Sequence, residues 1–156
     1  MPLEPTLRVE DLRAWRGTMP VVSRYTVGPA GERFLRALKD EARLLGTRCG
    51  RCGVTYLPGR LFCERCFDEL TEWIEVGPAG TVEAVTTLHL GPDGSRLKQP
   101  VLLALIRLDG ADTVLVHRLG GIGAGDAQIG LRVKPVYAKA EQRTGSILDI
   151  VHFTPA

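Results

Sequence analysis

Two periods of hydrophobicity divide this chain. In GERFLRALKDEARLLG, residues 31–46, Phe34, Leu35, Leu38, Ala42 and Leu45 recur three and four apart, with charged residues between them. That spacing puts the apolar side chains on one stripe of an α-helix. Glu32 in the first turn, Arg43 near the last and Gly46 just beyond it complete the expected helix. Upstream, Val9, Leu12 and Trp15 are three apart and form a shorter helical signal before Pro20, Gly28 and Pro29 punctuate the chain.

From residue 80 the period drops to two. Val82, Ala84, Thr86, Leu88 and Leu90 alternate against Thr81, Glu83, Thr87 and His89 in GTVEAVTTLHL. The segment GPDG, 91–94, reads as a turn. VLLALIRL, 101–108, is apolar at both parities and reads as a central strand buried on two faces. DGAD, 109–112, is a tight connection to TVLVHRL, 113–119. The glycine-rich GGIGAGDAQIG, 120–130, reads as a loop: its glycines lack the phosphate-binding spacing, and it runs into a strand rather than a helix. LRVKPVYA, 131–138, and SILDIVHF, 146–153, complete five strands. Pro135 cannot donate to a ladder, so its strand is expected to lie at an edge or to bulge there. Five short antiparallel strands without an intervening long helix favour a five-stranded OB-fold barrel, with an SH3-like barrel as the rival.

Between the helix and the strands lie all four cysteines, in RCGRCGVTYLPGRLFCERC, 48–66. Cys49 and Cys52 form one C-x-x-C pair and Cys63 and Cys66 another. Each pair can turn as a knuckle that aims two sulfurs at one point, with Gly50 and Gly53 supplying backbone freedom. Two facing knuckles make a tetrahedral four-sulfur site of the kind Zn²⁺ prefers, with iron as the alternative in the same cage. VTYLPGRLF between them reads as a short β-hairpin. Arg48, Arg51, Arg60 and Arg65 are placed to offset the charge of four thiolates. The expectation is a rubredoxin-like zinc ribbon holding one structural Zn²⁺ per chain, a closed site without an open position for substrate.

Composition narrows the class. At 156 residues, 44% hydrophobic and 24% charged, the chain can fold on its own core, and a net charge of +2 does not by itself point to nucleic acid or an anionic membrane. MPLEPTLRVEDLRAW carries three acidic residues and lacks the apolar run of a secretory signal, and VLLALI is far too short to span a membrane. A cytoplasmic location is therefore expected, where thiols stay reduced and paired cysteines serve metals. His89, His117 and His152 fall within expected strands, form no local ligand motif and read as barrel-surface residues. No G-x-S-x-G is present. Three units follow: an N-terminal arm and helix at 1–46, the ribbon at 47–76 and the barrel at 77–156.

A zinc ribbon joined to an OB-fold raises single-stranded nucleic acid binding as the alternative function. Only Tyr137 and Phe153 are aromatics within the expected barrel strands. The basic residues Arg96, Lys98, Arg107, Arg118, Arg132, Lys134, Lys139 and Arg143 are scattered rather than clustered.

The order of parts resembles a known family. The lead-in YTVGPAGERFLRALKDEARLLGTRC, the ribbon CGRCGVTYLPGRLFCERC, the junction WIEVGPAGTVEAVTTLH, then PVLLALIRLDGADTVLVHRL, IGLRV and RTGSILDIVHF are similar to the zinc-ribbon/OB-fold proteins that accompany thiolase-like enzymes and bind or position acyl-CoA. Members often carry Pro-Pro-Arg after the first knuckle, where Leu57-Pro58-Gly59-Arg60 stands here; Arg60 is kept. The resemblance implies a mainly β protein with an N-terminal helical segment. It also implies a non-catalytic accessory subunit, docked on a thiolase-like or hydroxymethylglutaryl-CoA synthase-like enzyme, with acyl-CoA as a ligand shared with that partner. CoA carries phosphates, so Arg96 and Lys98, in the expected loop GPDGSRLKQP, are the candidate CoA contacts. Trp15 and Tyr25 are candidate partner-interface residues. A homo-oligomer is compatible with this reading, and no membrane partner is expected.

Overall fold

The computed structural model describes residues 25–91 and 93–156. The helical signal at Val9, Leu12 and Trp15 lies outside these residues. In chain order the elements are α1 (Gly28–Glu41), β1 (Leu44–Arg48), β2 (Thr55–Tyr56), β3 (Glu72–Val76), β4 (Gly80–Leu90), β5 (Arg96–Leu108), β6 (Val114–Leu119), β7 (Arg132–Tyr137) and β8 (Ile150–Pro155). The protein is mainly β, with one helix leading into the ribbon and a C-terminal OB-fold.

Helix α1 starts and stops earlier than the periodicity predicts. Pro29 stands in its first turn, where a missing N–H costs nothing. Ala42 adopts the left-handed conformation at φ 55°, and its N–H donates to Leu38 O while that of Arg43 donates to Ala37 O. Arg43 and Gly46 are thus not part of the helix. The apolar Leu44 and Leu45, which extend the helical stripe in the sequence, enter β1 instead. Strand β1 pairs with β3 along its whole length, from Leu44↔Val76 to Arg48↔Glu72, and on its other side with β2. A Cβ on Gly46 would stand 2.6 Å from Tyr56 O, so this glycine serves the approach of β2 rather than a helix end.

The five barrel strands follow the order β4-β5-β6-β8-β7, and β7 returns to β4. The ring closes through thin seams. Two residue pairs, Gly80↔Val133 and Thr81↔Arg132, join β4 to β7, and one parallel pair, Leu119↔Phe153, joins β6 to β8. Pro135 lies beyond the two β4–β7 pairs, where it interrupts no bond to β4, and the irregularity in β7 falls just after it, between Val136 and Tyr137. Strand β8 begins later than expected, because 146–149 form a capped turn. The buried Asp149 accepts the N–H groups of Thr144, Gly145 and Ser146 at 2.9, 2.8 and 3.2 Å. Burial alone raises its pKa, but these donors outweigh it and hold the carboxyl below its ordinary value.

Two strand assignments change. A bulge between Val82 and Ala84 breaks the simple alternation in β4: Val82, Val85 and Thr87 pair with inward-facing residues of β5, while Ala84, Thr86 and Leu88 pair with Leu105, Leu103 and Val101. Strand β5 is not buried on both faces. Leu102, Ala104, Ile106 and Leu108 line the core, but Leu105 is 36% exposed and Val101 and Leu103 are only half-buried.

One core unites helix, ribbon base and barrel. Phe34 and Leu38 from α1, Leu44, Leu57 and Val76 from the ribbon sheet, and Ile106, Val133, Ile150 and Phe153 from the barrel belong to a single buried cluster. A polar clamp reinforces it. The segment 109–112, expected as a plain connection, runs beside β2 together with Thr113: Thr55 N–H donates to Asp112 Oδ2 at 2.8 Å, and Asp112 N–H donates to Thr55 O at 2.9 Å. Thr113 Oγ1 accepts from Leu57 N–H at 2.7 Å and donates to Leu57 O at 2.9 Å. The backbone of buried Leu57 thus depends on one hydroxyl. Replacing Thr113 with Val leaves both groups unpaired and should lower unfolding stability by about 1–3 kcal/mol. Thr113→Ser should retain most of it; urea denaturation of the two variants against wild type reads the difference.

Candidate metal centre

The two cysteine knuckles are built alike. In the first, Gly53 N–H donates to Cys49 O at 2.8 Å and Cys49 N–H to Val54 O at 2.8 Å; in the second, Phe67 N–H donates to Cys63 O at 2.9 Å and Cys63 N–H to Asp68 O at 2.9 Å. The fifth position of each turn needs a positive φ: Gly53 stands at 69°, and Phe67 holds the same place at 60°. Gly53 therefore supplies the backbone freedom expected of it, and Gly50 does not. The intervening segment is not one hairpin. Its first half, Thr55–Tyr56, pairs with β1, and its second half pairs through Phe62↔Glu69. Each knuckle therefore caps its own small antiparallel turn, which points the two turns at each other.

The four Sγ atoms lie within 4.8 Å of one another, with Cys49 Sγ 3.6 Å from Cys66 Sγ. Sulfurs held tetrahedrally at a Zn–S length of about 2.3 Å would be about 3.8 Å apart, so the cage has the size of a metal site. All four thiols are free of disulfides; Cys49 and Cys63 are buried and Cys52 and Cys66 half-buried. Around them, Cys52 N–H donates to Cys49 Sγ at 3.3 Å, and the Tyr56 hydroxyl meets Cys63 Sγ at 3.3 Å. The Tyr56 hydroxyl bond, with backbone N–H groups of Cys66 and Arg65, brings the Cys63 thiol down to about 6. The same bond and burial push Tyr56 up to about 12. At Cys66 a bond from the Asp68 backbone lowers the thiol, but burial and the three neighbouring sulfurs outweigh it and push it up to about 12. Thiols this close cannot all ionise unaided; a bound cation removes the conflict. The four cysteines are thus placed to hold a metal ion through four protein ligands.

The surrounding arginines are less available than the sequence implies. Arg60 pairs with Glu64 at 2.6 Å and lies over the Tyr56 ring, and Arg51 approaches Asp68 at 3.6 Å. Arg48 and Arg65 are exposed.

The remaining candidates are dispersed. Arg96 and Lys98 are exposed and stand within strand β5, not in a loop; the turn before it is closed by Gly91 N–H donating to Ser95 O. Neither takes part in an ion pair among the described residues. Tyr25 is 86% exposed, and Trp15 lies outside the described residues. Of the barrel aromatics, Phe153 is fully buried and Tyr137 half-buried. A groove of about 570 Å³ between α1 and the β1–β3 sheet had no sequence signal. Most of its charges are paired internally, by Arg36–Glu32, Arg43–Glu41 and Arg43–Glu75, and Arg33 stacks on Trp73, while Asp40 has no ion-pair partner among the described residues. No helix among the described residues is long and apolar enough to cross a membrane.

His117 is not a surface residue. It pairs with Ala104 on the inner barrel face, sits edge-on to Phe153 with ring centroids 5.5 Å apart, and is 6% exposed. Its Nε2 meets Ile147 O at 3.3 Å and its Nδ1 has no partner among the described residues. His152 is half-buried and His89 exposed.

Elemental analysis of the purified chain should find about one zinc per chain, and Cys63→Ser should abolish binding and unfold the ribbon, seen as loss of metal and of the cooperative melting transition. Burial, the leading influence, lowers the pKa of His117 despite its bond to Ile147 O. The unfolded chain then takes up this proton more readily than the folded one, so stability is full above the ordinary histidine pKa near 6.5 and declines as pH falls below it. Urea unfolding at pH 7.5 and 5.5 should show this loss, and His117→Leu should flatten it.

Comparison with known proteins agrees with this architecture. Residues 36–72 match the ChsH2 rubredoxin-like zinc ribbon domain and residues 73–138 the ChsH2 C-terminal OB-fold domain. A DUF35 domain-containing scaffold protein of Methanocaldococcus jannaschii is 26% identical over 111 residues, which span 70% of this chain and 78% of the relative. The crystal structure of a DUF35-family protein of unknown function from Sulfolobus solfataricus overlays with a TM-score of 0.59 at 32% identity, over 70% of this chain and 78% of its own. A chain of the Ltp2-ChsH2(DUF35) aldolase overlays with a TM-score of 0.62 at 23% identity, over 85% of this chain and 98% of that one, a likeness of fold. Helix, four-cysteine ribbon and OB-fold in this order make the chain a member of the DUF35 family, with ChsH2-type zinc ribbon and OB-fold domains.

Proposed function

We propose that the protein is a non-catalytic accessory subunit that docks on a thiolase-type acyl-CoA enzyme and helps to hold acyl-CoA at the shared boundary. The observation that carries this reading is the overlay of the fold on 98% of one chain of a two-component assembly, the Ltp2-ChsH2(DUF35) aldolase. The description of the archaeal relative as a scaffold protein supports it. The chemistry of this chain is compatible with that role. Its only cysteines converge on one centre. Cys49, Cys52, Cys63 and Cys66 would hold Zn²⁺ as a structural ion, which contributes on the order of 10–16 kcal/mol to folding small zinc units. A site with four protein ligands leaves no position for substrate. The nucleophile of acyl transfer would therefore come from the partner. Arg96 and Lys98 are the proposed contacts for CoA phosphates on this chain, and Tyr25 and Trp15 lie in the arm proposed to meet the partner. The proposed units remain 1–46, 47–76 and 77–156.

Affinity purification from nuclease-treated host lysate, followed by mass spectrometry, tests the reading. A thiolase-type enzyme in fixed ratio to the chain is the expected result. Calorimetry should then show acyl-CoA binding by the complex and little by the chain alone. Turnover by the isolated chain, or partners that vanish on nuclease treatment, would overturn it.

A further inference from the structure

The outer face of the β4–β5–β6 sheet has the side chains of an interior. On its three strands the outward rows are Ala84–Leu105–Val116, then Thr86–Leu103–Arg118, then Leu88–Val101. An antiparallel barrel strand with one wet face ordinarily alternates apolar-in and polar-out. Strand β5 instead carries Val101, Leu103 and Leu105 on the outside, opposite Leu102, Ala104 and Ile106 on the inside. Val116 is 59% exposed, Leu105 36% and Leu88 37%. The surface is also indented. A groove of about 280 Å³ is lined on this face by Ala84, Thr86, Leu103, Leu105 and Val116, and a second of about 320 Å³ by Leu88, Leu90, Leu97, Val101, Leu103 and Arg118. Leu103 belongs to both, so the two form one apolar trough.

The charges along this trough are unequal. At one end Glu83 and Arg107 neutralise each other at 2.9 Å. In the middle row, beside Leu103, exposed Arg118 has no carboxylate within ion-pair distance among the described residues. A complementary surface would thus present apolar side chains to the trough and a carboxylate to Arg118. Such matching of an apolar centre with one oriented charge is how protein interfaces fix register.

We infer that the outer β4–β5–β6 face is the surface on which the partner enzyme docks, an apolar ridge of that protein seating on Leu103, Leu105 and Val116 with a carboxylate against Arg118. This inference rests on the accessory-subunit reading and names the face it uses. A strand apolar on both sides is then explained: each side is buried, one by the barrel's own core and one by the partner.

Site-specific photocrosslinking tests it in the full-length chain expressed in its host. Benzoylphenylalanine is placed at Val116, or at Phe67 on the ribbon as a contrasting exposed site. The expected result is that the protein co-purifying in fixed ratio with the wild-type chain crosslinks at Val116, through a peptide containing an acidic residue. Val116→Asp and Arg118→Glu should each lower its recovery at least tenfold, while leaving the melting temperature and zinc content unchanged. A crosslink from Val116 to a second copy of the chain, or to the chain's own residues 1–24, would overturn the inference by naming another occupant. So would a partner that crosslinks only at Phe67 and survives both substitutions; the accessory reading would then stand and the face would be wrong. The absence of any partner in fixed ratio would remove both.

Discussion

The structure depends on bringing four sulfurs within 4.8 Å of one another. The cluster packed around them is small: Val54, Tyr56 and Leu70 join Cys49 and Cys63, with little other apolar surface. A unit of that size does not bury enough area to offset its ordering entropy. Four crowded thiols add a further difficulty, since deprotonating each makes the next harder. A metal ion resolves both at once, which makes the knuckles, and not the hydrophobic cluster, the organising feature of the ribbon. Tyr56 connects the two levels, filling the cluster with its ring and bonding Cys63 with its hydroxyl.

From that centre, order passes to the barrel through backbone. Strand β2 leaves the first knuckle and runs along 109–113, where Asp112 and Thr113 satisfy the main chain of Thr55 and Leu57. Arg132 on β7 binds Asp109 through both its guanidinium nitrogens, and Asp109 O accepts the N–H of Gly77 at the end of β3. Ribbon, β5–β6 connection and barrel seam are thus tied within a few residues of sequence. Exposed ion pairs of this kind contribute little alone; here they border a continuous buried cluster, and the geometry rather than the Coulomb energy matters.

What the sequence discloses is what local spacing encodes. Two C-x-x-C pairs announce the centre because a knuckle is a local turn, and period-two stretches announce the five strands. The clamp is silent because Thr113 and Leu57 are 56 positions apart. The end of α1 is misread because Ala42 and Leu45 continue the helical period, while the pairing of β1 with β3 claims Leu44 and Leu45 for a sheet. A bulge after Val82 inverts β4 as far as Leu88, an event that hydrophobic periodicity cannot register. The burial of His117 is silent because the alternation of TVLVHRL fits either face equally, and only pairing with Ala104 decides it.

The segment VLLALI is apolar on both faces, yet only one of them is buried. Apolar side chains at both parities state correctly that both faces want cover; they do not state that one chain provides it. In the folded protein the inner face is covered by Ile150, Phe153 and their neighbours, while Leu105 and Val116 are left open. A solvent-facing strand would ordinarily carry threonines and charges there, as β4 does at Thr86 and Glu83. Aliphatics on the outer side of β5 and β6 add nothing to the chain's own core, and in the docking proposed above they would contribute once a partner covers them. In the proposed accessory role, the tie of barrel to ribbon through Asp112 and Thr113 would carry that open face, so that a chain whose sulfurs converge on one centre would act through the position it imposes on another protein.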